Sequence, residues 1–355
     1  MVLVIDGSIG EGGGQILRSA IALSAVLLKP VRIINIRAKR RNPGLRPQHL
    51  TAIKVVATLT DAEIKGAFVG SREILFIPKK RRSGFFKFNI GTAGSIPLVM
   101  QASIPVMLFS DGDTCIDIIG GTDVSWSPPI DYMRFVFAPF LKKLGISITI
   151  KLLRRGHYPR GGGRVIYCVN PVQSIKPLRV EKRGNILRIR GISHAVKLPK
   201  HVAIRQAETA KNIILKKYKD LDVSIDIEWY DPSKDRHLGP GSGIVVWAEC
   251  ENSILGGDSL GERGKPAEKV GEEAAEILIE DLETNRAVDR HMGDMIIPFL
   301  ALANGESVIT GAKMTMHTYT NIEVVRRITG AKIDATYEGF NKPFKMLIRG
   351  IGYNI

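Results

Sequence analysis

Two stretches of this sequence run through the same order of strand and helix periods, and a third runs through part of it. That recurrence constrains the chain more than any single motif. In the first stretch, strand 2–5 passes through a glycine loop into helix 15–28, then strand 31–36, helix 47–59 and a hairpin of 63–69 with 73–77. The second has strand 85–90, a loop at 91–95, helix 96–109, strand 114–118, helix 129–144 and a hairpin of 146–152 with 164–169. The third offers only helix 292–303, strand 307–309, helix 321–328 and a hairpin of 332–337 with 344–348. Before it the order is broken by strand-like 187–189, helix 199–218, strands 223–228 and 243–249, and an acidic helix 267–282. The predicted fold class is therefore α/β: a large domain of three βαβαββ repeats, residues 1–181 and 284–355, with a smaller α/β domain inserted at 182–283.

Charge narrows the choice of partner. The chain is 355 residues long with a formal net charge of +16, and the surplus is uneven. Residues 1–100 carry 16 basic and 5 acidic side chains, residues 151–200 carry 13 and 1, and residues 251–300 carry 5 and 12. Two concentrated basic segments suit an acidic partner if the fold joins them into one face, and otherwise form two solvated faces. No apolar run is long enough to span a bilayer, and the start Met1-Val2-Leu3-Val4-Ile5-Asp6 reads as a strand with no signal-peptide pattern, so a cytoplasmic protein is expected. Cys115, Cys168 and Cys250 are odd in number, far apart and each in an apolar strand-like run, which points to buried thiols rather than disulfides, zinc ligands or a nucleophile.

The glycine loop Gly10-Glu11-Gly12-Gly13-Gly14-Gln15 lies between a strand and a helix start, where free amides and the helix dipole favour a phosphate. A tight turn is the alternative. Glu11 would face phosphates only with a divalent cation between them, so a nucleotide with its metal suits the loop better than bare phosphate. Arg18 lies one turn on, and Arg37, Arg40, Arg41 and Arg46 crowd the loop before the next helix. A second run, Arg154-Arg155-Gly156-His157-Tyr158-Pro159-Arg160 with Arg164, reads either as a nucleic-acid backbone clamp or as a solvated hairpin. Gln101, inside an apolar helix, is either a satisfied core amide or a ligand contact. The seven histidines have no HxH or HExxH spacing. His317 sits at a strand-to-helix corner with Thr320 as the expected N-cap; a neutral imidazole there could attack phosphorus, though spacing alone leaves a structural histidine open. His291 and Asp294, three apart at a helix start, can face one pocket.

Taken together, Gly10 to Arg18, Pro43-Gly44-Leu45 with Gln48-His49, Gly91-Thr92-Ala93-Gly94-Ser95, Gly120-Gly121-Thr122, Tyr158-Pro159-Arg160-Gly161-Gly162-Gly163, and His317 with Thr320-Asn321 resemble the RNA 3′-terminal phosphate cyclases over nearly the whole chain. The resemblance implies three βαβαββ repeats, like those of enolpyruvyl transferases and an initiation-factor C-terminal domain, with an inserted α/β domain. It implies a ligase that spends ATP to AMP and diphosphate, through a covalent His317–AMP (at the imidazole Nε2) and an RNA(3′)pp(5′)A end, to close a 2′,3′-cyclic phosphate. By the same matching, Arg18 and Arg40 join His317 as catalytic residues. Glu11 holds Mg²⁺ or Mn²⁺, and Glu11, Gln15, Arg37, Gln48, Gln101, Pro128, His291 and Asp294 bind ATP. Arg154, Arg155, Arg160 and Arg164 are the candidate RNA contacts, and an oligomer is allowed. Bacterial members have tyrosine at the position of His291, and many have Asp-Gln where Asp294-Met295 stands here; stacking on adenine survives a tyrosine-to-histidine exchange. A non-catalytic cyclase-like protein of ribosomal RNA processing is the alternative, and it lacks the nucleophilic histidine that this chain carries.

Overall fold

The computed structural model describes residues 2–231 and 233–354. Period-two burial sets the first sheet: Val31 and Ile33 turn inward while Arg32 turns out. Strand β1 (Leu3–Asp6) leads into helix α1 (Gly14–Leu27), then β2 (Val31–Ile34), α2 (Pro47–Thr60), β3 (Glu63–Lys65) and β4 (Ile74–Ile77). The strands lie in the order β1-β2-β4-β3, the first pair parallel and the others antiparallel. The second sheet follows from β5 (Gly84–Asn89), α3 (Ile96–Met107), β6 (Thr114–Gly120), α4 (Ile130–Tyr132), α5 (Ala138–Leu141), β7 (Ile148–Arg154) and β8 (Gly163–Val169). Its order, β5-β6-β8-β7, has the same parallel and antiparallel senses as the first. The helix expected at 129–144 is interrupted by a π turn at Met133–Phe137. Pro139 has no N–H to give the Phe135 carbonyl, and the wider turn accommodates the missing bond.

Strand β9 (Arg179–Val180) was not legible as a strand because it is two residues long, yet it pairs in parallel with a strand more than a hundred residues away. The next unit contains β10 (Ile186–Val196), α6 (Lys200–Lys217), β11 (Val223–Trp229), β12 (Gly241–Cys250), β13 (Ile254–Leu260) and α7 (Ala267–Glu283), with strand order β11-β10-β12-β13. β13 escaped the sequence reading because Gly256, Gly257 and Asp258 are poor strand formers. The glycines are fitted to their neighbours: a Cβ on Gly256 would stand 2.9 Å from the Tyr132 ring, and one on Gly257 2.5 Å from the Ala274 carbonyl oxygen. The chain then passes through α8 (Met292–Met295), α9 (Ile297–Leu302), β14 (Glu306–Gly311), α10 (Met316–Thr329), β15 (Lys332–Tyr337) and β16 (Phe344–Arg349). The last sheet runs β9-β14-β16-β15, again with one parallel and two antiparallel pairs.

Two cores result. One gathers the inner faces of three sheets with α1, which packs against α2, α3 and α10. The other lies between the β10–β13 sheet and helices α6 and α7. Strand β12 serves both by alternation: Ile244, Val246 and Ala248 face the smaller core, while Val245 and Trp247 reach the larger, where Trp247 stacks on Phe135 with ring centroids 4.6 Å apart. Among the described residues no helix is long and apolar enough to cross a membrane.

The cysteine expectation needs correcting. Cys115 and Cys168 form a disulfide; only Cys250 is a free, buried thiol. The two stand directly opposite each other on β6 and β8, on the half-buried face, alternating with the buried Ile116 and Tyr167. Antiparallel register brings them face to face, and distance along the chain carries no information about that.

Candidate active site

α1 opens on glycine. Its N-cap, Gly13, has no side chain to satisfy the first amides, so the positive end of the helix is left available. Gly10 adopts φ +53° against Thr320, whose Oγ1 would lie 2.2 Å from any Cβ placed there. This close approach lets the Glu11 amide donate to Thr320 Oγ1 at 3.0 Å, while that hydroxyl donates to the Met316 carbonyl. Thr320 is therefore an internal residue of α10. The expected N-cap is corrected to Thr315, whose hydroxyl accepts from the Thr318 amide, so His317 lies in the first turn of the helix. The run Met316-His317-Thr318-Tyr319-Thr320 has no apolar stripe to announce a helix.

The geometry converges on His317, which is half exposed. Its Nδ1 lies 2.7 Å from Glu11 Oε2 and 3.0 Å from Gln15 Oε1. Both are acceptors, so Nδ1 carries the proton and Nε2 keeps its lone pair. Partial burial, with Arg18 and Arg40 adding to it, lowers the imidazole pKa against the pull of Asp294, so the ring is neutral near pH 7. Gln15 Nε2 donates to Asp294 Oδ2 at 2.5 Å, which fixes the amide so that its oxygen faces His317. Asn321 Nδ2 in turn donates to the Asp294 carbonyl oxygen and Asn321 Oδ1 accepts from Ser19, tying α8, α10 and α1 together. Burial raises the Asp294 carboxyl despite the nearby cations.

A basic wall stands opposite. Arg40 pairs with Glu11, and Arg18, desolvated on α1, is pulled down to about 10. Among the described residues Arg18 Nε is buried with no hydrogen-bond partner. Arg37 spends two donor contacts on the Asn42 and Gly44 carbonyls of its own loop. His49 is held neutral, near 3, by burial and the surrounding arginines. Gln48 Oε1 accepts from the Ser95 amide, joining α2 to the loop before α3.

These groups open onto a cleft of about 1010 Å³. Glu11, Gln15, Arg18, Arg37, Arg40, Gln48, Gln101, Pro128, His291, Asp294 and His317 all line it. Sequence reasoning missed Trp126, Asp258 and Thr315, which line it too. Trp126 is almost wholly exposed at φ +65°, and Asp258, on β13, is pushed up to about 6 by burial, helped by Asp289 and Asp123. The basic run of the second hairpin does not reach the cleft. Arg155 is corrected outright as a nucleic-acid contact: it is fully buried, bonded to Asp123, Asp131 and Glu228. Arg164 pairs with Asp117 and Arg154 donates to the Gly162 carbonyl, while Arg160 is exposed.

Residues 9–335 match a protein family described as RNA 3′-terminal phosphate cyclase. Among curated proteins, the chain is 57% identical over 355 residues to the RNA 3′-terminal phosphate cyclase of Hyperthermus butylicus, covering 99% of each. It is 55% identical over 351 residues to that of Ignicoccus hospitalis, again 99% of each, and 51% identical over 355 residues to that of Pyrobaculum aerophilum, covering all of both.

Proposed function

The chain belongs to the RNA 3′-terminal phosphate cyclase family, and from that premise we propose that it converts an RNA 3′-phosphate to a 2′,3′-cyclic phosphate at the expense of ATP, with His317 as the nucleophile. The observation that carries this reading is the placement of His317: a neutral imidazole, its Nδ1 proton held by Glu11 and Gln15, beside an uncapped helix N-terminus and a basic wall. In the first step Nε2 bonds to the α-phosphorus of ATP as the bond from that phosphorus to pyrophosphate breaks. Glu11 and Gln15 keep the Nδ1 proton and stabilise the charge that the ring acquires. In the second, an oxygen of the RNA 3′-phosphate takes the α-phosphorus from nitrogen, returning His317 to its neutral form. In the third, the adjacent 2′-hydroxyl attacks the activated 3′-phosphorus, its proton passing to solvent, as the bond from that phosphorus to AMP breaks and AMP leaves. The poor leaving group of a phosphate monoester is thereby exchanged for a good one.

Arg18 and Arg40 supply positive charge where it develops on phosphorus. An otherwise unpartnered guanidinium edge, such as that of Arg18, suits a phosphate oxygen. Arg37, Gln48, Gln101 and Asp294 bound the nucleotide, with adenine between Pro128 and His291. Glu11 would hold a divalent cation when its Oε1 is released from the ion pair with Arg40, since a carboxylate with nucleotide phosphates is an ordinary magnesium set. Such an ion would neutralise phosphate charge. Arg160 and Arg164, both exposed on the second hairpin, and the partly exposed Arg154 are the remaining candidates for the RNA backbone. The shared strand order of three sheets supports reading them as repeats of one βαβαββ unit, interrupted by residues 182–283.

Incubation with α-labelled ATP and Mg²⁺ or Mn²⁺, without RNA, tests the mechanism. An acid-labile covalent label is expected on the wild type and absent from His317→Ala. A wild type that takes no label with either metal overturns it.

A further inference from the structure

Away from the cleft, where the second sheet meets the β10–β13 sheet, a second constellation of titratable groups lies in the interior. Asp123 follows β6, His157 sits in the turn between β7 and β8, and His194 is on β10; they are 2%, 7% and 1% exposed. One ligand atom from each lies within 4.8 Å of the other two. The Nε2 atoms of His157 and His194 are 2.9 Å apart. A single proton between two rings satisfies one nitrogen of each. Among the described residues the other nitrogen of both rings, and Asp123 Oδ1, are buried without any partner. Leaving a polar atom so placed costs about 1–3 kcal/mol.

The surroundings are shaped for the rings. A Cβ on Gly241 would fall 2.1 Å from His157 Cγ, and one on Gly243 3.0 Å from His194 Cε1, so bare backbone packs against both imidazoles. His237, from the loop between β11 and β12, gives its Nδ1–H to Asp235 Oδ1 at 2.7 Å, which leaves Nε2 with a bare lone pair, buried and unpartnered. Charge agrees: Asp123, Asp131 and Glu228 surround the single buried guanidinium of Arg155, with only Arg134 added on the rim at Asp131. Burial holds both central rings in the neutral form, His157 near 4 and His194 well below its ordinary value.

We propose that Asp123, His157 and His194 form a structural divalent-metal site of the zinc type that fastens the β10–β13 sheet to the second sheet. Two imidazoles and a carboxylate are a zinc donor set, and burial between two sheets, out of reach of substrate, suits a structural ion. It is separate from Glu11, since none of the three residues lines the cleft.

The test uses the full chain without a histidine tag, saturated with Zn²⁺, dialysed against metal-free buffer and assayed for metal by mass spectrometry. One zinc per chain is expected, retained in Glu11→Gln and lost in His194→Ala and His157→Gln. Chelation of the wild type should lower Tm, and added Zn²⁺ should restore it. Should the histidine variants fail to fold, the chelation arm decides alone. A wild type that retains no zinc, folded variants that keep it stoichiometrically, or a Tm indifferent to chelator and zinc would each overturn the proposal.

Discussion

Asp258 illustrates what one side chain can reveal that its neighbours in sequence do not. Its carboxyl is raised from an ordinary value near 4 to about 6, burial first, with Asp289 and Asp123 adding repulsion. The native state therefore binds its proton more tightly than the unfolded chain does. Stability from this group is fully present below about pH 4, falls as pH rises to about 6, and is lost above that. Such a displacement corresponds to at most about 3 kcal/mol, less where solvent screens the carboxylate. Asp258→Asn should raise Tm at pH 8 and leave it unchanged at pH 4; equal effects at both would show that ionisation is not the cause. Nothing in Gly256-Gly257-Asp258-Ser259 signals this, because the repelling carboxylates come from other elements. His317 was legible for the opposite reason. Its motif travels as a contiguous string, and so do Glu11, Gln15 and Arg18, which share one loop and the first turns of one helix.

Elements were read better in their kind than in their ends. α1 and α2 were expected within a residue or so, since each has an apolar core stripe and a clear entry. α10 was placed five residues too late, because its first turn is built from polar residues whose hydrogen bonds are made to the glycine loop and the N-cap rather than to an apolar partner. That coupling between loop and helix can be tested at Gly10. Gly10→Ala meets both a left-handed backbone and Thr320 Oγ1, so it should cost about 1–3 kcal/mol and sharply slow adenylylation. Gly10→Ala/Thr320→Ala removes the collision but not the backbone strain, and should recover part of Tm, as thermal denaturation would show. No recovery would mean that the contact is not what sets the loop.

At the scale of the molecule, the basic surplus divides into charge that faces solvent and charge that the fold consumes. In a sequence, four arginines around a glycine turn read alike. Only the folded chain brings Asp123, Asp131 and Glu228, up to 73 positions away, around Arg155. Arg155→Met strands three carboxylates and should destabilise by about 3–5 kcal/mol. Arg160→Ala should leave Tm alone while lowering the salt slope of RNA binding by about one. Thermal melts and a salt titration of RNA affinity separate the two, and equal behaviour would contradict the division.

The Cys115–Cys168 bond changes what kind of object the polypeptide is. It makes residues 115–168 a covalent ring, a separation of 53, from which the two remaining lengths of chain extend as tails. That ring contains the Pro128 side of the cleft and, in Asp123, Arg155 and His157, most of the buried junction with the β10–β13 sheet. When the fold is lost the ring persists, and its restricted freedom is worth about 4 kcal/mol in chain entropy. Unfolding measured with a strong thiol reductant and unfolding measured without one therefore refer to two different denatured molecules, one open and one still closed around the same half of the site.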